Sequence, residues 1–253
     1  MRTHAPDPAG DLPPRLLSAR SVVLSLLLGT HPPELPARDL GRLVAGFGVG
    51  GSTLRAALSR MVAAGDLLRT DTGGYRLSDR LLARQRRQDD ALRPHTRPWH
   101  GDWVMVVVTA TGRGPAERAD LRTRLTALRL AELREGVWLR PDNLVRPLPA
   151  ELDDVAERCT ARPARPAPGL AAALWPLDAW SRTARALLDH IGRADRPADR
   201  LAAFAAVVRH LLTDPVLPTP LLPPDWPGGT LRAAYTGYQR ELAEEVRARV
   251  GGR

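Results

Sequence analysis

From Arg15 onward, apolar residues recur at three- and four-residue spacing. Leu16, Leu17, Val22, Val23, Leu24, Leu27 and Leu28 predict a helix that Gly29 and the pair Pro32-Pro33 stop. Leu40, Leu43 and Val44 predict a second, shorter helix over 35–47, followed by a glycine turn at Gly46–Gly51. Ser52 then reads as the N-cap of a third helix that runs to Ala64 and ends at Gly65. Residues 66–70 and 74–77 read as two strands joined by an Asp-Thr-Gly turn. Three helices and a hairpin predict a winged helix-turn-helix over 15–83, behind a proline-bearing tail, 1–14, expected to be disordered.

Residues 84–101 read as a polar connector carrying Arg84, Arg86, Arg87, Arg93 and Arg97. Beyond it, Trp103–Thr109 is a β-branched run and the clearest strand in the chain. A helix at 116–128, strands at 130–133 and 137–139 hinged on Gly136, and a second helix over 151–159 make a ferredoxin-like central domain, 102–170. Its last strand is expected in 162–169, where prolines weaken it. From 171 to 253 the pattern is helical, with helices over 177–191, 197–212 and 230–250. The segment 214–228 is too rich in proline for helix or sheet, and is expected to lie as an extended brace anchored by Trp226. The fold class expected is therefore α+β.

The third helix carries the candidate chemistry. At about 100° per residue, Leu54, Ala57, Leu58, Met61 and Val62 share one face, while Ser52, Arg55, Ala56, Ser59 and Arg60 occupy the other. No acid occurs between Gly50 and Gly65, so the outer face suits close approach to phosphates and base edges. Thr53 on the same helix, and Thr72 and Arg76 on the hairpin, complete the candidate DNA-contacting set.

Charge sharpens this picture. The 253 residues hold 37 basic side chains, all arginine, against 28 acids. Residues 1–100 carry 15 arginines against 9 acids, which is two thirds of the net charge of +9 and points the N-terminal module toward a polyanion. With no lysine, Schiff-base and phosphate-loop chemistry are excluded. Cys159 is the single cysteine, which leaves neither an internal disulfide nor a thiolate-rich zinc site and fits a reducing cytoplasm. The apolar run 22–28 is too short for a membrane span.

Enzyme signatures are thin. The six histidines are dispersed, no G-x-S-x-G or Walker-type loop occurs, and Gly46–Gly51 joins two helices where a dinucleotide fingerprint needs a strand before it. Asp153-Asp154 and Glu244-Glu245 are adjacent on predicted helices, so their carboxylates diverge. No catalytic residue, metal ligand or cofactor is assigned.

Five segments, in order along the chain, resemble the PaaX-type repressors of phenylacetic acid catabolism. They are Ala19-Arg20-Ser21 with Leu28-Gly29; Leu54–Val62 with Gly65-Asp66-Leu67; Trp99 with Trp103; Gly136–Pro141; and the run DPVLPTPLLPPDWPG from Asp214 to Gly228. The resemblance implies a homodimeric regulator with an N-terminal winged helix, a central domain similar to the small ferredoxin-like nucleases of CRISPR adaptation, and a helical C-terminal domain. It also implies repression of a catabolic operon, release by an aryl-acyl-coenzyme A effector, and a recognition helix over 52–62 with Arg55, Ser59 and Arg60 at its centre. Trp175, Trp180 and Trp226 are the expected effector contacts. The alternative is a metal-dependent nuclease using the central domain. Against it, 109–113 lacks the aspartate that the related nucleases carry just after their first strand.

Overall fold

In the computed structural model, which describes residues 18–251, Ser18 caps the first helix, its hydroxyl accepting from the Ser21 amide at 3.1 Å. Helix α1 (Ala19–Gly29) buries Val22, Val23, Leu24, Leu26, Leu27 and Leu28. Its C-terminal carbonyls are satisfied by Thr30 Oγ1, which donates to Leu26 O at 2.8 Å, and by Gln85 Nε2, which donates to Leu28 O at 3.0 Å. Residues 15–17 of the expected helix, and the tail 1–14, lie outside the described residues.

The described chain forms two compact units. One takes the described residues up to Arg86, together with Asp189–Val207 and the chain from Tyr235. Here the expected second helix is shorter than its pattern. Leu35 belongs to a strand, β1 (Glu34–Pro36), and α2 is confined to Ala37–Ala45 because Pro36 stands as its N-cap. Helix α3 (Gly51–Ala63) begins one residue before the expected cap. Gly50, extended at φ −73° and ψ 156°, occupies the N-cap position without a side-chain bond, so Ser52 is a helical residue and not the cap.

Strands β2 (Leu67–Arg69) and β3 (Gly74–Leu77) follow, and β1 adds to β3 on the other side, giving an antiparallel sheet in the order β1-β3-β2. At Gly74 a Cβ would lie 2.8 Å from Leu35 O, which explains a glycine where β1 crosses β3. The same unit holds an aromatic cluster in which Phe204 stacks on Tyr238 at 4.0 Å and Tyr235 stands edge-on at 6.0 Å.

Residues 84–92, expected as the start of a polar connector, are helical and belong to α4 (Asp79–Leu92). Its apolar positions are few, but Leu81, Gln85, Gln88, Ala91 and Leu92 are buried at three- and four-residue intervals, so glutamines fill places where the pattern calls for leucine.

The second unit takes Arg87–Leu188 and Val208–Ala234. Strand β4 (Trp103–Val108) leads to α5 (Pro115–Ala127), then to β5 (Ala131–Arg134), β6 (Val137–Pro141) and β7 (Ala156–Ala161). The sheet runs β5-β6-β4-β7 with every pairing antiparallel. Two corrections apply here. Residues 151–159 form no second helix, only a 3-10 turn at Ala150–Leu152 and the start of β7. The last strand is therefore β7 and not 162–169, which leads into α6 (Ala167–Leu174).

Alternation along β4 divides the packing, as strand geometry requires. Val106 joins Leu121, Leu125, Trp138, Leu148 and Leu152 beneath α5. Trp103 faces the other way, into Leu139, Leu170, Ala171, Leu177, Leu217 and Leu221. That second core is covered by 214–228 through Leu217, Leu221, Leu222 and Trp226; the segment expected to hold neither helix nor sheet makes one 3-10 turn, at Thr219–Leu221.

Helices α7 (Leu177–Arg193), α8 (Pro197–Leu211) and α9 (Gly228–Gly251) complete the chain, each contributing residues to both units. The partition into 15–83, 102–170 and 171–253 follows chain order, whereas compactness divides these three helices.

Candidate nucleic-acid interface

Helix α3 separates two faces cleanly. Leu54, Ala57, Leu58 and Met61 are buried, while Ser52, Thr53, Arg55, Ala56, Ser59 and Arg60 are all exposed. Arg55 and Arg60 form no ion pair among the described residues, so two fixed cations stand on a surface without a carboxylate on its own helix. Four apolar side chains on one side set the rotation of the helix, and therefore which residues point outward.

The pose of α3 is fixed at its C-terminal end by Asp66, only 2% exposed. The Asp66 amide donates to Met61 O at 2.9 Å, closing the helix. Its Oδ2 accepts from Arg20 Nη2 at 2.8 Å and from Arg20 Nε at 3.2 Å, and its Oδ1 accepts from Arg80 Nη2. One carboxylate thus ties α1, α3 and α4 together. Sequence reasoning passed over Asp66 as a functional residue, although Arg20 and Asp66 both lie in the segments that carry the family resemblance.

The hairpin places its residues less uniformly. Thr72 and Arg76 are exposed, and Thr70 Oγ1 accepts from the Gly74 amide at 2.9 Å, holding the turn. Arg76 lies directly across from Leu68 on β2 and from Glu34 on β1, a register neighbour that nothing in the sequence pattern places beside it. Arg69 at the end of β2 is exposed, forms no ion pair among the described residues, and was not singled out from sequence.

The three tryptophans expected to meet an effector are packed against the chain itself. Trp180 is buried, with His210 stacked on one face at 4.3 Å and Trp226 on the other at 4.4 Å. Its Nε1 donates to Thr213 Oγ1 at 3.1 Å, and His210 Nε2 donates to the Trp180 carbonyl at 3.0 Å. Burial holds the His210 pKa below its ordinary value, opposed by that carbonyl bond and by Asp214. Trp175 stacks on Trp103 at 6.4 Å. The structure therefore brings Trp180 and Trp226 together, but covers both faces of the Trp180 ring.

The brace that carries Trp226 is pinned at both ends. Asp214, 1% exposed, accepts from Arg232 Nη2 at 2.7 Å through Oδ2 and from the Val216 amide at 2.8 Å through Oδ1. Asn143 Nδ2 donates to Val216 O at 2.9 Å. At Gly228 a Cβ would lie 2.5 Å from Trp226 Nε1 and 3.0 Å from Asp214 Oδ2, which accounts for the glycine that ends the motif.

Among the described residues, no group of three or more His, Cys, Asp or Glu is arranged to hold a metal ion, and no helix is long and apolar enough to cross a membrane.

Comparison with known proteins gives a consistent answer. No curated protein matches the chain. Among solved structures, the chain is 52% identical to the uncharacterized protein Rv0674 from Mycobacterium tuberculosis, with a TM-score of 0.82 over 92% of this chain and 98% of that one. Family models match in sequence order: PaaX-like protein over residues 18–81, the PaaX protein central Cas2-like domain over 96–162, and the PaaX-like protein C-terminal domain over 175–250. The middle match coincides with the four-stranded antiparallel sheet, and the first with α1 through β3, including the Arg20–Asp66 clamp. The chain belongs to the PaaX family.

Proposed function

We propose that this protein is a sequence-specific DNA-binding transcriptional regulator acting by binding and not by catalysis. Family membership is consistent with transcription regulation. The observation that carries the DNA-binding reading is the outer face of α3, where Arg55 and Arg60 stand exposed beside Ser52, Thr53, Ala56 and Ser59 while Leu54, Ala57, Leu58 and Met61 anchor the other side.

In this reading, α1, α2, α3 and the β2–β3 hairpin act as a winged helix-turn-helix. Helix α3 enters the major groove; Arg55 or Arg60 reads a guanine by a bidentate contact, and the hydroxyls of Ser52, Thr53 and Ser59 meet phosphates or base edges. Thr72 and Arg76 follow the backbone as the wing. The protein works as a homodimer in the cytoplasm on a pseudo-palindromic operator, so that two α3 helices occupy successive half-sites. It represses a catabolic operon and is released by an acyl-coenzyme A effector. The crowded rings of Trp175, Trp180 and Trp226 make that effector site conditional on movement of the brace.

Fluorescence anisotropy with the DNA flanking the protein's own gene tests the proposal. Binding that exceeds binding to a scrambled duplex of equal composition, and that falls steeply with salt, is expected. Equal affinity for both duplexes would overturn it.

A further inference from the structure

A cleft of about 320 Å³ opens in the second unit beside α5, and neither the DNA-binding reading nor the expected effector tryptophans involve it. Three guanidinium groups line it, from Arg113, Arg118 and Arg122, and its floor is apolar, from Val108, Leu121 and Leu125. The volume lies at the lower end of the range for small-molecule sites, and an apolar floor with a few convergent polar groups is the usual composition of one.

The three arginines are not equivalent. Arg122 Nη1 pairs with Glu132 Oε2 at 2.6 Å, and its guanidinium lies over the Trp138 ring, 5.9 Å from the centroid, so it serves as a fixed wall. Arg118 Nη1 donates to Arg113 O at 2.8 Å, which holds its fork in place while leaving other N–H groups available. Arg113 is half-buried, and among the described residues its guanidinium has no ion pair. The Glu117 carboxylate turns to the Gly114 amide, its Oε2 accepting from it at 2.9 Å; it is not part of the cleft lining and forms no ion pair with Arg113 or Arg118 among the described residues. Arg118, exposed but tethered by its backbone bond, and the half-buried Arg113 thus present guanidinium N–H groups that no ion pair among the described residues occupies, an arrangement suited to an anion.

Charge and shape narrow the class of ligand. Glu135 also lines the cleft, so three cations face two carboxylates and a single positive charge is in excess. A monoanion satisfies that balance, whereas a dianionic phosphate would sit beside Glu135 with charge uncompensated. The planar fork of Arg118 matches a carboxylate, and Val108, Leu121 and Leu125 accept a short hydrocarbon body. We propose that this cleft binds a small organic monocarboxylate, its carboxylate held by Arg113 and Arg118 and its apolar part laid against the floor beneath α5. The proposal is independent of DNA binding, and its test uses none.

Full-length protein is titrated by calorimetry with 3-phenylpropionate, hexanoate, the neutral amide 3-phenylpropionamide, and inorganic phosphate. Indole N–H resonances are followed in parallel, with Trp138 assigned from Trp138→Phe. At least one of the two carboxylates is expected to bind and to move the Trp138 resonance. The amide, and the double variant Arg113→Ala/Arg118→Ala with the same carboxylate, are each expected to bind at least about tenfold more weakly, as loss of a charge-assisted pair implies. Arg118→Gln alone serves if the double variant fails to fold. No binding of either carboxylate at millimolar concentration would overturn the proposal. So would equal affinity for the acid and its amide, unchanged affinity in the variants, or phosphate competing as well as the carboxylate.

Discussion

Arg20 and Asp66, forty-six positions apart, meet through a 2.8 Å charge-assisted hydrogen bond, and that bond joins the first helix of the chain to the residue that closes the third. The carboxylate is buried while the Arg20 side chain keeps about half of its surface in water, so the two partners respond differently to removal. Arg20→Ala leaves a buried carboxylate with Arg80 as its remaining cation. Asp66→Ala releases two arginines to solvent and loses only the tie. Each substitution is expected to cost about 1–3 kcal/mol, less than breaking a fully buried pair because the arginines rehydrate. Urea unfolding measures it. Under the DNA-binding reading, Asp66→Ala also lowers operator affinity at temperatures where the protein stays folded, since α3 loses its fixed pose.

The outer face of α3 makes a sharper forecast. If Arg55 or Arg60 reads a base, its replacement by alanine costs roughly 1–3 kcal/mol on operator DNA and relaxes specificity at one base pair. Arg69→Ala, altering a cation at the end of β2, is expected to weaken operator and scrambled duplexes alike and to make the dependence on salt shallower by about one counterion. Anisotropy titrations at several salt concentrations distinguish the two behaviours. Equal effects of Arg55→Ala and Arg60→Ala on both duplexes would assign that face to phosphates alone.

His210 links stability to pH. Burial keeps its folded pKa below the ordinary 6.5, so the folded protein binds this proton less readily than the unfolded chain. The contribution is present above about pH 6.5, is lost as pH falls through the folded pKa, and levels off below it. His210→Phe preserves a ring against Trp180 but cannot titrate. Its melting temperature is expected to fall less steeply than that of the wild type as pH drops below 6.5. Parallel melting curves for the two proteins across that range would remove His210 from the account.

Gly228 offers a test of the brace. An added methyl group at that position meets Trp226 Nε1 at 2.5 Å, and both Trp226 and Asp214 are themselves held in place. Gly228→Ala is therefore expected to destabilise the second unit by about 1–3 kcal/mol through overpacking, read from the denaturant midpoint. Gly229→Ala, where nothing lies within 4 Å of the new atom, is the matched control and is expected to be near neutral or slightly stabilising within a helix.

Legibility in the sequence followed the range of the interactions. The buried face of α3 was readable because Leu54, Ala57, Leu58 and Met61 report helical periodicity within eight residues. The brace was readable because its prolines forbid a long helix or a paired strand, leaving only a 3-10 turn at Thr219–Leu221. β1 was not, since it is three residues long and exists only because β3, some forty positions on, offers it an edge. β7 was read as helix because four successive residues, Glu157 to Thr160, are exposed and no alternation marks the strand. The start of α3 was placed at Ser52 by side-chain preference, whereas Gly50 holds that position by backbone conformation alone. Asp66 and the Arg113–Arg118–Arg122 cleft stayed hidden for a related reason. Their meaning lies in what surrounds them in space, and arginines are spread so evenly along this chain that none stands out by number.

The segment from Asp214 to Gly228 has consequences for how the protein is cut and rebuilt. A stretch with so little regular structure ordinarily attracts proteases and tolerates inserted tags. Here, Leu217 and Leu221 are buried, Val216 O is bonded to Asn143, and Trp226 is stacked on Trp180. Digestion under native conditions should spare it, and a peptide epitope placed within it should unsettle the protein as much as one driven into a helix.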